Sequence, residues 1–374
     1  MAQRIPLFAT ANGLHRLSVS EENPDPRNGS SGILIALPEN TWTFTDLASA
    51  ANIGIEILES QRGRATLESL GRVVVQEWHA SGRHRFPGNP SDMGAYVDHF
   101  LSSLRTDFPT IIVRRLGGPD ILAQARRMPG NLWNGDLGSY KPKQAVGLYY
   151  NQCRVADMVR ATDKMWKTKN GKSPEERRES SRMLKRHRQF QFMFAVATSH
   201  ELCHAFVGYL AQNSQNDKSY TPPNVSHLNH GYFDEDGEPL QGESGRWFEN
   251  RLFGGSFEFY YDSQDDREQV GIPYILDRHD VAWRIDPRAL DSFVQTPRSF
   301  EFPLRVTDNG VNSQQRRQLQ LRSLGSTPAA TPLAARPNFM RARRERPPLL
   351  YSITKQELES IPTVPRPLRA VRVA

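Results

Sequence analysis

Apolar residues recur at helical spacing in several long stretches of the chain. The stretch Trp42–Glu59 is an example, because its apolar positions follow the helix-cap candidates Asn40 and Thr41. A second starts near Ser173, where Ser, Pro and two Glu form a typical helix start. The pattern predicts helices over Trp42–Glu59, 119–128, Gln152–Thr168, about 173–211, and between Gly242 and Gly254.

Shorter runs of β-branched and aromatic residues lie between turn formers, a pattern typical of strands. They predict strands over 33–37, 72–77, Thr110–Arg114, 145–150 and 257–261. Most of these strands precede the long helix, and more helix and strand follow it. The order favours a single α+β domain over 33–311, preceded by an N-terminal segment and loop over 1–32.

The end of the chain has a different composition. From residue 312 onward, eleven Arg and one Lys against three Glu give +9, so the rest of the chain carries −2 of the total +7. Eight of the 26 prolines lie in the same segment. Such a composition buries too little apolar surface to offset the entropy of ordering, so 312–374 is predicted to be a basic, disordered tail.

Length and cysteine content narrow the class of protein. No apolar run approaches the 18 or so residues of a membrane span, and the N-terminus lacks the pattern of a secretory signal. Two cysteines, Cys153 and Cys203, cannot form a disulfide framework. We therefore expect an intracellular protein, cytoplasmic or nuclear, without membrane contact.

One short motif carries chemistry. His200-Glu201-Leu202-Cys203-His204 has the pattern H-E-x-x-H inside the long predicted helix. At 100° per residue the two histidines lie about 40° apart on one helix face, so both imidazoles can reach one metal ion. Glu201 projects to the side of His204, where it can act as general base for a water that the metal activates. A structural pair of buried histidines beside a satisfied Glu is the alternative.

The motif resembles the zinc-binding helix of the zincin metallopeptidases. The resemblance implies a small mixed sheet, an active-site helix below it, an edge strand that pairs with extended substrate, and a third zinc ligand from downstream. It also implies peptide or protein substrates. The metzincin extension needs Gly and His after the motif, whereas this chain has Val207 and Leu210 there.

Glu243 is the first candidate for the third ligand. It stands at the start of the predicted helix that ends at Gly254, near the positive end of the helix dipole, which favours its ionised form. In this respect it resembles the Glu ligand on the second helix of the gluzincin branch. The usual E-x-x-x-D pattern is absent, since Trp247 replaces the Asp, and no partner for a histidine ligand is identified.

Other residues are alternative candidates for the third metal ligand or for stabilising the oxyanion. His230, in an H-G segment, resembles the third histidine of the SprT-like branch, and His227 and Glu249 are further candidate ligands. Tyr232 and Arg246 are candidates to stabilise a tetrahedral oxyanion. Cys203 is expected to be a buried thiol rather than a ligand.

The basic tail admits a second interpretation of the whole chain. Five Arg in 336–346 suffice for weak nucleic-acid contact, as in a SprT-like, DNA-associated protease. The leading hypothesis is a zinc hydrolase of gluzincin type, with ligands His200, His204 and Glu243 and the base Glu201. The alternative from another class is a non-catalytic scaffold that keeps the zincin-like fold. The sequence does not indicate the oligomeric state.

Overall fold

The computed structural model describes residues 13–23, 33–83, 85–116, 121–127, 137–211, 221–228, 232–233, 239–296 and 300–325. Its helices are α1 (Trp42–Glu59), α2 (Gln61–Ala80), α3 (Met93–Thr106), α4 (Pro142–Ala145), α5 (Gln152–Thr168), α6 (Pro174–Leu210), α7 (Ser244–Phe253), α8 (Pro287–Gln295) and α9 (Ser313–Gln318). Its strands are β1 (Val19–Asn23), β2 (Ile33–Ala36), β3 (Thr110–Arg114), β4 (Ala123–Arg127), β5 (Val146–Asn151), β6 (Tyr232–Phe233), β7 (Pro239–Gln241), β8 (Ser256–Tyr260), β9 (Ile272–Leu276), β10 (Ala282–Ile285), β11 (Val306–Val311) and β12 (Ser323–Gly325). None of these helices is long and apolar enough to cross a membrane.

The first sheet is small and mixed, as predicted. Its strand order is β2-β1-β3-β5-β4. The three central strands are parallel, whereas β2 and β4 are antiparallel edges. Strand β5 is buried along its whole length and β3 along all but its last residue, as expected for parallel strands covered by helices. The mixture of this sheet with long helices confirms the α+β class.

A second sheet follows the long helix in the chain. Its order is β11-β10-β9-β8-β12, and every neighbouring pair is antiparallel. Strand β8 is buried at every position and follows directly on α7, which it helps to anchor. Strands β6 and β7 form a separate two-stranded ladder.

Helix α6 is the centre of the fold. Its 37 residues extend over about 55 Å. A capping box between Ser173 and Glu176, with Pro174 at the first turn, starts it. The first half is largely exposed, but almost every residue from Phe190 onward is buried against α1, α5, α7 and β4. A helix that is apolar on all sides must lie inside the protein, so this half carries the candidate site into the core.

Most predicted elements are confirmed. Helices α1 and α5 have the expected bounds, α6 and α7 match within about two residues, and Thr41 caps α1 by accepting from the Phe44 amide at 3.3 Å. The predicted strands at 33–37, Thr110–Arg114, 145–150 and 257–261 correspond to β2, β3, β5 and β8.

The predicted strand at 72–77 is wrong, because these residues lie within α2. The run Val73-Val74-Val75 has high strand propensity, which favoured that interpretation. The buried positions Leu67, Leu70, Val74 and Trp78 recur every three or four residues, however, and this longer period decides the structure.

The predicted helix at 119–128 is also wrong where the structure describes it. Residues Ala123–Arg127 form β4, which pairs along its length with β5. Ala123 and Ala125 are buried, and the residues between and after them are partly exposed. Alanine favours helix in isolation, but pairing with a neighbouring strand overrides this propensity.

Both predicted domain boundaries need correction. Part of the expected N-terminal loop is β1, which lies between β2 and β3 in the first sheet. Part of the expected tail forms α9 and β12, and β12 pairs with β8. The folded part therefore includes residues 19–23 and 313–325, because backbone pairing supplies the stabilisation that their polar composition does not indicate. Residues 326–374 lie outside the described part of the chain.

Candidate metal centre

Helix α7 brings Glu243 to the histidine pair. Glu243 is the N-cap of this helix rather than a residue of its first turn, and its Oε2 accepts a hydrogen bond from the Arg246 amide at 2.5 Å. Capping satisfies one of the unpaired amides at the helix start and fixes the carboxylate. The other oxygen, Oε1, is left to face α6.

Three ligand atoms converge at this point. Glu243 Oε1 lies 3.1 Å from His200 Nε2 and 2.5 Å from His204 Nε2. The two Nε2 atoms are 3.3 Å apart. These residues form a group that can hold a metal ion. The structure thus brings together all three ligands predicted from the sequence.

The size of the triangle approaches that of a small metal site. Tetrahedral ligands at about 2.0–2.2 Å from a metal are separated by roughly 3.3–3.6 Å. The distances of 3.1 and 3.3 Å are near this separation, and the 2.5 Å between Glu243 Oε1 and His204 Nε2 is shorter. Two imidazole nitrogens that point at each other also need a cation or a shared proton between them. The donor set and its geometry therefore suit a metal.

The second nitrogen of His200 is held by Glu249. Its Nδ1 donates to Glu249 Oε1 at 2.8 Å, while Glu249 Oε2 accepts from the Phe257 amide at 3.0 Å. An Nδ1–H donor leaves the lone pair on Nε2, which is the tautomer that binds a metal. Gly245 packs flat on the same ring, since a Cβ there would lie 2.4 Å from His200 Cδ2.

His204 has a neutral partner instead. Its Nδ1 lies 2.9 Å from Ser244 Oγ, the first residue of α7. The side chain of His204 is 12% exposed, compared with 0% for His200 and 4% for Glu243. The site therefore reaches the outside beside His204.

The electrostatics of the cluster favour a positive charge. Burial alone would lower the pKa of His200, but the nearby carboxylates of Glu243 and Glu249 outweigh it and raise this pKa to about 10. Burial opposes ionisation of Glu243, yet the two histidines hold the pKa of this carboxyl well below its usual range. A metal ion supplies the same positive charge as the proton it replaces.

Glu201 lies next to the cluster, and one of its two oxygens is bound outside it. Its Oε2 accepts from the amide of Ala125 on the edge strand β4 at 2.6 Å. Its Oε1 is buried and has no hydrogen-bond partner among the described residues. Burial raises the pKa of Glu201, against the opposing charges of His200 and His204. A buried carboxylate oxygen without a partner is costly, unless it serves a water or a substrate.

The other sequence candidates have different surroundings. His227 Nε2 donates to the Leu276 carbonyl at 3.0 Å and is not part of the ligand group. Arg246 is buried and its guanidinium lies 3.4 Å from Glu258, so it stabilises the base of α7 instead of facing a substrate. Cys203 is a buried free thiol, as expected.

Three predictions fall outside the described residues. His230, the alternative third ligand, and the side chain of Tyr232 both lie outside them, as does the Arg-rich segment 336–346. The nucleic-acid contact of the tail and the SprT-like alternative therefore stay predictions. Glu243 already provides the third donor in the described cluster.

Sequence reasoning missed the partners of both histidines. Glu249 replaces the absent Asp as the carboxylate behind His200, but it stands six residues after Glu243 and not four. Ser244 behind His204 was also missed. A usable signal was present in both cases, since these polar residues belong to a helix that had been chosen as ligand-bearing.

Comparison of the chain with protein-family models, with curated proteins and with solved structures finds no match. The resemblance to zincins therefore rests on the H-E-x-x-H motif.

Proposed function

We propose that the protein is a zinc-dependent hydrolase, specifically a metallopeptidase of zincin type. The observation that supports this most is the convergence of His200 Nε2, His204 Nε2 and Glu243 Oε1 within 3.3 Å of one another. A carboxylate from the same motif, Glu201, lies beside them with one oxygen unpaired among the described residues. Three ligands with an adjacent base are the minimum for metal-assisted hydrolysis.

Zinc is the proposed metal because of the donor set. Two imidazole nitrogens and one carboxylate oxygen are the ligands of one class of catalytic zinc site, in which a fourth position stays open. Hard cations such as Mg²⁺ and Ca²⁺ prefer sites made of oxygen atoms alone. The hydrogen bonds that the outer nitrogens of His200 and His204 make with Glu249 and Ser244 also match the usual support of zinc-bound histidines.

The proposed reaction is hydrolysis of a peptide bond. When bound, Zn²⁺ supplies Lewis acidity, which polarises a carbonyl and makes a water more acidic. Glu201 takes one proton from the attacking water as the hydroxyl joins the carbonyl carbon, and then passes this proton to the leaving amine nitrogen. Its raised pKa suits this exchange, because a base is most efficient when its pKa is near the working pH.

The edge strand β4 is the proposed platform for substrate. It is antiparallel to β5, and its Ala125 amide holds Glu201 in place. An extended peptide that pairs with such an edge would have its backbone next to the base. This agrees with the substrate-binding strand that the zincin resemblance implies.

The test compares three zinc-loaded proteins on a diverse peptide library. Wild type is expected to cleave, and Glu201→Gln to bind one zinc but cleave at least 10²- to 10⁴-fold more slowly, since it lacks the base. Glu175→Gln, an exposed change on the same helix, is the matched control and should behave as wild type. Mass spectrometry measures cleavage and elemental analysis measures zinc. Undiminished cleavage by Glu201→Gln would contradict the assigned mechanism.

One observation favours a second candidate, a non-catalytic metal-binding protein. The ligand side chains are almost completely buried, as in structural zinc sites. If wild type binds zinc but cleaves no peptide, and removal of zinc by a chelator lowers its melting temperature, this second function becomes the better account.

A further inference from the structure

A cavity lies beside the first half of α6, away from the metal ligands. Its wall on this helix consists of residues that share one helix face, Arg182, Lys185, Arg186 and Gln189. The loop between β8 and β9, the start of β9, the end of β10 and the start of α8 form the other walls. Arg186 stands 14 residues before His200, or about 21 Å along the helix, so the cavity is separate from the candidate metal centre.

The cavity has room for a small organic molecule. Its volume is about 240 Å³. A cavity of about 150 Å³ suffices to bind benzene, so a ring with one charged substituent fits here. The apolar residues that line the cavity are Val270, Ile272, Pro273, Ile285, Pro287 and Leu290. They give the hydrocarbon part of a ligand an apolar wall to pack against.

The acidic residues that line the cavity are mostly paired with arginines. Asp265 pairs with Arg186 at 2.5 Å, and Arg186 is itself buried. Asp291 lies 3.7 Å from Arg188. Asp262 has no cationic partner among the described residues, and its Oδ1 accepts a hydrogen bond from a backbone amide of the same loop. One lining carboxylate is therefore left without a cation.

Three polar side chains of the cavity are open to a ligand. The side chains of Lys185 and Arg284 make no ion pair or hydrogen bond with any described residue. Gln189, one turn after Lys185 on α6, is half-buried, and its amide also has no hydrogen-bond partner in the described part of the chain. Two open cations outweigh the single unpaired carboxylate of Asp262, so the cavity favours an anion. Ammonium and guanidinium groups both bind carboxylate and phosphate.

We propose that this cavity binds a small organic anion, whose carboxylate or phosphate group is held by Lys185 and Arg284. Gln189 can donate a further hydrogen bond to the same group, and the hydrocarbon part of the ligand packs against the apolar wall. The proposal does not depend on the proposed hydrolase function, because none of the three metal ligands lines the cavity.

Four compounds test the chemistry of the ligand on the full chain. They are phenyl phosphate, benzoate, inorganic phosphate and the neutral benzyl alcohol, and ligand-detected NMR titrations measure their dissociation constants. The better of the two aromatic anions is expected to bind roughly 10- to 100-fold more tightly than benzyl alcohol, because hydrogen bonds between charged groups are stronger than neutral ones. Tighter binding of benzoate than of phenyl phosphate identifies carboxylates as the ligand class, and the reverse order identifies phosphates.

Two variants test the location of the site. Lys185→Gln and Arg284→Gln should each weaken binding of the aromatic anions by roughly tenfold or more and leave benzyl alcohol unaffected. Lys141→Gln removes an equal charge at an exposed position at the start of α4, so it is the matched control and should bind like wild type. Lys185 and Arg284 are both exposed, so their variants should fold, and an unchanged melting temperature verifies this.

Three results would overturn the proposal. The first is that neither aromatic anion binds at millimolar concentrations, and the second is that benzyl alcohol binds as tightly as they do. The third is that both variants bind the anions like wild type, which would place them elsewhere, such as at the metal centre. Inorganic phosphate that binds as tightly as phenyl phosphate would also contradict an organic ligand, because the apolar wall would then contribute nothing.

Discussion

Helix α6 carries two buried histidine clusters with opposite electrostatics. At the first, His200 faces the carboxylates of Glu243 and Glu249 at 3.1 and 2.8 Å, and its pKa is raised to about 10. At the second, about 20 Å earlier on the helix, His187 Nδ1 lies 2.9 Å from the hydroxyl of Thr162 and 4.0 Å from a carboxylate oxygen of Asp46. Burial lowers the pKa of His187 to about 4.

The difference lies in how many carboxylates face the imidazole. Thr162 Oγ1 donates to Asp46 Oδ2 at 2.7 Å and therefore accepts from His187, which makes a neutral network. Burial raises the pKa of Asp46 to about 7, although the hydrogen bond from Thr162 opposes this. Two carboxylates around one imidazole create a place for a cation, whereas one carboxyl with a hydroxyl between does not. A buried His that faces an acid of a neighbouring helix is thus not enough to indicate a metal centre.

The largest expected effect is a difference in zinc content between variants of the two histidine clusters. His200→Ala should lose zinc completely, because it removes one of three donors and leaves Glu243 and Glu249 without their cation. His187→Gln, the matched change in the other cluster, should keep one zinc per chain. Elemental analysis after dialysis against a weak chelator measures both. Zinc that stays in His200→Ala, or leaves a folded His187→Gln protein, would contradict the distinction.

The second prediction uses the pH dependence of the neutral network. The folded state raises the pKa of Asp46 from 3.8 to about 7, so the protonated form is favoured and the stabilisation is complete below about pH 4. It is lost as the pH rises through 7. Relative to Asp46→Asn, the free energy of unfolding of wild type should fall by on the order of 4 kcal/mol between pH 4 and 8.

Urea unfolding of both zinc-loaded proteins at several pH values measures this difference. Asp163→Asn, which changes a carboxylate with a 43% exposed side chain, is the control. Its free energy of unfolding should change with pH in the same way as that of wild type. If the difference in the free energy of unfolding between wild type and Asp46→Asn did not change with pH, Asp46 would be ionised in its buried position.

The third prediction concerns Glu249, the second carboxylate at His200, which has no counterpart in the cluster around His187. Glu249→Gln can still accept from His200 but has no charge, so zinc affinity should fall by about 10- to 100-fold while the metal still binds. Competition with a chromophoric chelator measures the affinity. Glu68→Gln, on the surface of α2, should leave it unchanged. Equal affinities of wild type and Glu249→Gln would remove Glu249 from the metal centre.

Local periodicity accounts for what the sequence predicts well. His200, Glu201 and His204 lie on one helix, so their relative positions follow from helix geometry alone. Glu243 could also be predicted from the sequence, because glycines mark both ends of the helix at whose start it stands.

The way in which the carboxylates around the site are held depends on contacts between elements that are distant in the sequence. Glu249 is fixed by the amide of Phe257 on β8, and Glu201 by the amide of Ala125 on β4. Strand β4 was predicted to be a helix, because its alanines favour helix and its pairing with β5 cannot be recognised in the sequence. Likewise the short sequence Ser-Leu-Gly of β12 does not indicate that this segment pairs with β8.

The smallest expected effect concerns a chain of contacts that leads from β12 to Glu243. Ser323 Oγ on β12 donates to Glu258 Oε2 at 3.2 Å, and Glu258 pairs with Arg246, whose amide holds Glu243.

Ser323→Ala removes one partly buried hydrogen bond, so the free energy of unfolding should fall by about 0.5–1.5 kcal/mol. Zinc affinity should weaken by less than about tenfold, because Arg246 still pairs with Glu258. The pH-dependent gap between wild type and Asp46→Asn should be the same in the Ser323→Ala background, since β12 does not contact that network. The exposed Ser313→Ala is the control for both measurements, and stability equal to wild type in Ser323→Ala would mean that β12 does not support the site.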